Sequence, residues 1–69
     1  MSTAPRFVTP KHQINDYTVV VPEGAQDGIS EGDEFVVEIG EKTVSATAID
    51  VGRREAVLEL NRADIESYV

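Results

Sequence analysis

The chain has no cysteine and no tryptophan, one histidine and only two lysines, Lys11 and Lys42. Each shortage removes a class of explanation. Without cysteine there is no disulfide and no thiolate metal site. His12 alone supplies no pair of imidazoles for zinc. No apolar run approaches the roughly 20 residues a membrane-spanning helix needs. The N-terminus has neither the basic nor the apolar half of a signal peptide. The expectation is a soluble, cytoplasmic protein with no membrane contact, no metal and no cofactor. Its 69 residues make one domain, residues 1–69, near the lower size limit for independent folding. Such a domain buries only about 60% of the surface its unfolded chain exposes, so its own core contributes just a few kcal/mol. With disulfides and metals set aside, association into a homodimer is the remaining common device.

What is abundant is acid. Thirteen Asp and Glu stand against six Lys and Arg, for a net charge of −7. The acids are scattered through the chain, singly except for Asp33-Glu34, whereas a disordered acidic tail would gather them in a block. This pattern describes a folded domain coated in carboxylates. Low lysine with many Asp, Glu, Val and Thr resembles the composition of haloarchaeal proteins. In multimolar salt the Debye length falls below ~3 Å, so the negative charge does not by itself exclude a nucleic-acid partner.

Along the chain, Met1 to Pro5 reads as a frayed terminus. Arg6 to Thr9 reads as a short edge strand stopped by Pro10, and Lys11 to Asp16 as a loop. Tyr17 to Val21 is β-branched and aromatic throughout and predicts a strand. Pro22 ends it, because proline has no N–H to donate to a ladder. A loop containing Gly24 follows, and Ile29 is the isolated apolar residue expected to plug one end of a barrel.

From Glu34 onward the pattern is a meander. Phe35, Val37 and Ile39 alternate with Glu34, Val36 and Glu38. Gly40-Glu41 suits a two-residue hairpin loop, with glycine taking the positive φ of a type II′ turn. Val44, Ala46 and Ala48 then alternate with Thr43, Ser45, Thr47 and Ile49, and the small alanines predict close approach of another backbone. Gly52-Arg53-Arg54 reverses the chain into Ala56 to Leu60. Asn61 is placed to cap a short helix from Arg62 to Tyr68, with Asp64 in its first turn and Ile65 and Tyr68 or Val69 on its buried side. The fold class is all-β: five short strands in a small curled sheet or β-barrel, with a meander over residues 34–60 and a short C-terminal helix.

No residue set predicts catalysis. His12 lies in a polar stretch with nothing patterned to orient it, which is how a surface histidine reads. Asp33 and Glu34 are adjacent on a strand and point to opposite faces, so they do not share a proton or a metal. Gly24, Gly28 and Gly32 precede a strand and not a helix, and no lysine follows them, so they are turn glycines and not a phosphate loop.

The basic residues are more informative. Arg53 and Arg54 occupy a hairpin tip, while Arg6, Lys11 and His12 fall together near the N-terminus. Brought to one end of a barrel, these groups make a positive patch on an acidic body. Arginine offers forked donors that match phosphate geometry, and Tyr17 or Phe7 adds a stacking surface for a single strand. The plain alternative is that the turn arginines pair with Glu55 or Asp50.

Between Val19 and Ile39 the sequence resembles the AbrB/MazE-type (swapped-hairpin) transcription-regulator family. The residues concerned are Val19 to Pro22, Gly28-Ile29, Gly32-Asp33-Glu34 and the strand Phe35 to Ile39. That resemblance implies an intertwined β dimer that binds DNA with arginines from its loops and strands. The functional expectation is a non-enzymatic module that associates with DNA or RNA, as in transcription regulation, through Arg53 and Arg54 with Arg6 and Lys11 as secondary contacts. The competing expectation is a protein-interaction adaptor without nucleic acid. It would use Tyr17 to Val21 as an edge strand, or the outward Val20, Val36 and Val57.

Overall fold

The structure is a computed structural model that describes residues 6–66. The expectations for Met1 to Pro5, and for Tyr68 and Val69, lie outside those residues. Six strands run in chain order: β1 (Arg6–Val8), β2 (His12–Asn15), β3 (Thr18–Val21), β4 (Glu34–Ile39), β5 (Lys42–Val51) and β6 (Ala56–Leu60). A 3-10 turn covers Ala25–Asp27, and helix α1 spans Arg62–Glu66. The strands form one mixed sheet in the order β1-β4-β5-β6-β3-β2. Among the described residues only the β1–β4 pair is parallel.

This order requires a curled sheet. β1 and β2 are its two outer strands, yet only Thr9, Pro10 and Lys11 separate them in the chain. Four residue steps reach no more than about 14 Å, whereas six strands laid flat put the outer two roughly 24 Å apart. The sheet therefore bends round until its edges flank the Thr9–Lys11 segment, and it stays open between β1 and β2. The concave face holds one apolar cluster drawn from both ends of the order. Val8 of β1 and Val19 and Val21 of β3 join Phe35, Val37, Val44, Ala46, Ala48, Leu58 and Leu60. Ile29 is buried in the same cluster, as its isolation in the sequence predicted.

The meander follows its alternation. Phe35 pairs with Ala46 and Val37 with Val44, all facing inward, while Glu34 pairs with Thr47 and Glu38 with Thr43 on the outer face. Ile39 and Lys42 close the hairpin around Gly40-Glu41. Gly40 has φ 62° and among the described residues no non-glycine residue has a positive φ, so the turn has the positive-then-negative order of type II′. Between Ala48 and Asp50 the β5–β6 register slips by one residue. This bulge leaves Ile49 exposed and lets Val51 return to the core side beside Ala56.

Two local expectations are corrected. Lys11 to Asp16 is not a loop, because His12–Asn15 pairs antiparallel with β3, giving six strands where five were expected. Tyr17 to Val21 consequently supplies no free edge, since β3 lies between β6 and β2. Val20 is also buried, while Val36 and Val57 are half-buried. The outer edges are β1 and β2 instead. At the other end of the chain, Asn61 Oδ1 accepts from the N–H groups of Ala63 (2.9 Å) and Asp64 (3.3 Å), the expected cap of α1. Asp64 turns its carboxylate onto Ser45 N (3.0 Å), and Ser45 O accepts from Asn61 N, so α1 continues the bonding of β5 where β6 ends.

Candidate nucleic-acid interface

The four basic residues read from the sequence come from three separated segments, and the fold gathers them at one mouth of the curled sheet. The turn from Gly52 to Glu55 carries Arg53 and Arg54. It is closed at its base by the Val51–Ala56 pair and by Gly52 N donating to Glu55 O at 2.8 Å. The segment after β3 docks on it edge-on: Ala25 N donates to Gly52 O (2.8 Å) and Gln26 N to Arg53 O (3.0 Å). Gly24 makes this docking possible. A Cβ there would stand 2.7 Å from Glu55 N and 2.8 Å from Arg53 C, inside any real carbon contact. Backbone to backbone, the arginine turn is braced from the side.

Arg53 and Arg54 are both exposed, and among the described residues neither forms an ion pair with Asp50, Glu55 or any other acid. Glu55 is engaged instead by Lys11, whose Nζ lies 3.1 Å from Glu55 Oε1. Lys11 is fixed in the backbone as well, its N–H donating to Val20 O at 2.9 Å. Arg6 enters from β1, with Nη1 3.7 Å from Glu23 Oε2 and 3.5 Å from Asp27 O. Glu23 Oε2 is buried and accepts no hydrogen bond, so this guanidinium is its nearest compensating charge. Arg6 and Lys11 thus flank the Arg53-Arg54 turn, each held by a carboxylate. The two turn arginines project without one.

The aromatic residues divide. Tyr17 is half-buried, and the Arg62 guanidinium sits 4.6 Å from its ring centre. Its backbone O accepts from Leu60 N, at the end of β6 away from the arginine turn. Phe7 is next to Arg6 and 64% exposed.

His12 is exposed on β2. Asp27 and Asp33 use their carboxylates in turns, Asp27 Oδ2 accepting from Gly24 N (3.1 Å) and Asp33 Oδ2 from Ser30 N (2.9 Å). Among the described residues no three histidine or acidic side chains group as metal ligands, and no helix is long and apolar enough to cross a membrane. A groove of about 420 Å³ lies on the outer face of β4, β5 and β6, lined by Glu34, Ser45, Thr47, Glu59 and Arg62 among others. None of the four patch residues lines it.

No family model, curated protein or solved structure matches the chain. Sequence reasoning missed the role of Gly24, which in one dimension is an ordinary loop glycine. It also left open the partner of Glu55, because Lys11 lies 44 positions away.

Proposed function

We propose that the protein is a non-enzymatic β module that associates with nucleic acid through the Gly52–Glu55 turn, Arg53 and Arg54 making the primary phosphate contacts. The observation that carries this reading is that these two arginines are the cations of the patch with no carboxylate partner, on a turn whose backbone is held from two sides. A braced turn presents guanidinium groups at little ordering cost, and their forked donors match phosphate oxygens. Arg6 and Lys11 extend the positive surface to either side. The acidic outer face, with Glu34, Glu38 and Glu59, repels phosphates and so confines the ligand to this mouth.

The resemblance of Val19–Ile39 to swapped-hairpin regulators supports the same class of ligand. It also carries the expectation of a homodimer, in which two such mouths double the phosphate contacts. Sedimentation in high salt reads that state directly.

The test is a mobility-shift assay comparing the natural chain with Arg53→Glu/Arg54→Glu at matched salt. Loss of the shifted complex, with an unchanged thermal unfolding midpoint, is expected. Unchanged binding by the double variant rejects the assignment.

A further inference from the structure

Phe7 is the most exposed large apolar side chain among the described residues, at 64%. The β1–β4 register sets it beside Val36. Strand alternation turns both onto the convex face, away from the side on which Arg6 reaches Glu23. Glu34 and Glu38 share that face, two residues before and after Val36 and so about 7 Å along β4 in either direction. Thr47 pairs with Glu34 on one side and Glu59 on the other, which sets these two glutamates about 10 Å apart across the strands. Both line the outer groove of about 420 Å³, together with Val36. Among the described residues none of Glu34, Glu38 and Glu59 forms an ion pair. Arg62, which also lines the groove, holds its guanidinium over the Tyr17 ring. An exposed aromatic ring therefore stands among carboxylates that have no cation.

We propose that this convex face docks an arginine-rich polypeptide segment, one guanidinium lying over the Phe7 ring and another entering the groove between Glu34 and Glu59. The proposal goes beyond the nucleic-acid reading and does not depend on it. Charge complementarity names the occupant. The face of an aromatic ring attracts a cation, and the flanking carboxylates supply its counter-charge. Guanidinium suits both at once, because it stacks flat on a ring and bonds carboxylates through paired donors. Phe7 and the groove are neighbours, since Val36 is the partner of one and part of the lining of the other. The same carboxylates exclude the competing occupants. Phosphates are repelled here. A second copy laid face to face sets glutamate against glutamate, and each copy carries a net charge of −7.

The test is fluorescence anisotropy at one salt concentration with two short labelled peptides. One alternates arginine with serine, and the other carries citrulline, the neutral analogue, at each arginine position. The proteins are the natural chain, Phe7→Ala, Glu34→Gln/Glu59→Gln, Arg53→Glu/Arg54→Glu, and Glu31→Gln/Glu41→Gln. The last removes the same charge from two exposed turn residues outside this face. The citrulline peptide is expected to bind the natural chain at least about ten-fold more weakly than the arginine peptide. On the arginine peptide, Phe7→Ala is expected to lose about three- to five-fold and Glu34→Gln/Glu59→Gln about ten-fold. Glu31→Gln/Glu41→Gln and Arg53→Glu/Arg54→Glu are expected to bind it no more weakly than the natural chain. All the replaced side chains are exposed, so the variants keep the unfolding midpoint. Equal binding of the two peptides overturns the proposal, as does a Phe7→Ala variant that binds unchanged. An equal loss in Glu31→Gln/Glu41→Gln shows attraction by net charge alone and also overturns it. So does self-assembly of the natural chain that is lost in both Phe7→Ala and Arg53→Glu/Arg54→Glu, because the occupant is then the arginine turn of a second copy. The nucleic-acid reading is decided separately, by the mobility-shift assay on Arg53→Glu/Arg54→Glu.

Discussion

Gly24 lies flat against Gly52, so close that its missing side chain is what lets the two backbones touch. The contact joins the loop after β3 to the turn between β5 and β6, and it is sealed by the Ala25–Gly52 and Gln26–Arg53 hydrogen bonds. The position of the arginine turn thus depends on a residue far from it in the chain.

Gly24→Ala forces its Cβ into the main chain of Arg53 and Glu55, which has no flexible end to move aside. We expect a loss of about 1–3 kcal/mol, the usual cost of overpacking. Gly28→Ala meets no atom within 4 Å but stands at φ 87°, so its cost is conformational, about 1–2 kcal/mol. The two differ in their reach. Gly24→Ala also exposes the Ala25 and Gln26 amides, whereas Gly28→Ala leaves those two bonds intact. Urea unfolding gives the energies, and amide hydrogen exchange at Ala25 and Gln26 separates the mechanisms.

Leu58 is fully buried at the centre of β6, between Val19 and Ala48 on the neighbouring strands. Leu58→Ala is expected to cost about 2–5 kcal/mol. In a chain whose core supplies only a few kcal/mol, that is enough to unfold it. Ile49→Ala, on the exposed bulge, should stay within about 0.5 kcal/mol. Circular dichroism melts of the two variants check the contrast.

Much of this architecture is legible in the sequence, and its limits have physical causes. The β4-β5 part of the meander is visible because one face is buried and the other mostly wet, so Phe35, Val37, Val44, Ala46 and Ala48 alternate with Glu34, Glu38, Thr43, Ser45 and Thr47, Val36 being the apolar exception. β2 is invisible for the converse reason. His12, Gln13, Ile14 and Asn15 are all exposed and interrupted by a register shift, so no periodicity marks them. Their strand state is imposed by hydrogen bonds from β3. The parallel pairing of β1 with β4 leaves no local trace either, since its partners are 29 positions apart, as Arg6 and Phe35 are. At the site, two adjacent arginines after a glycine are legible as a turn tip. That Lys11 takes Glu55 away from them is not, because the curl of the whole sheet brings those residues together.

The Lys11–Glu55 pair joins two side chains that are about half exposed, 46% and 56%. Solvent screens such a pair, so Lys11→Ala should change stability by less than about 1 kcal/mol. Its effect on binding should be greater than its effect on folding, because the cation is lost from the flank of the arginine turn while Glu55 remains. Parallel unfolding and shift assays on this variant read the two effects apart.

Asn61→Ala removes the acceptor of the Ala63 and Asp64 amides, and about 1 kcal/mol is expected. The loss should reach β5, because Asp64 holds Ser45 N. Faster hydrogen exchange at Ser45 is the accompanying sign, and slow exchange there in the variant would show that α1 keeps its place without the cap.

The central claim is that Arg53 and Arg54 contact phosphates, and the salt dependence of binding tests it most directly. The logarithm of the binding constant for a single-stranded oligonucleotide is measured against the logarithm of salt concentration, for the natural chain and for Arg53→Ala/Arg54→Ala. Each phosphate contact contributes about −0.7 to that slope on a single strand. The account predicts a slope shallower by about 1.4 in the double variant, with weaker binding throughout. Equal slopes and equal affinities would contradict it.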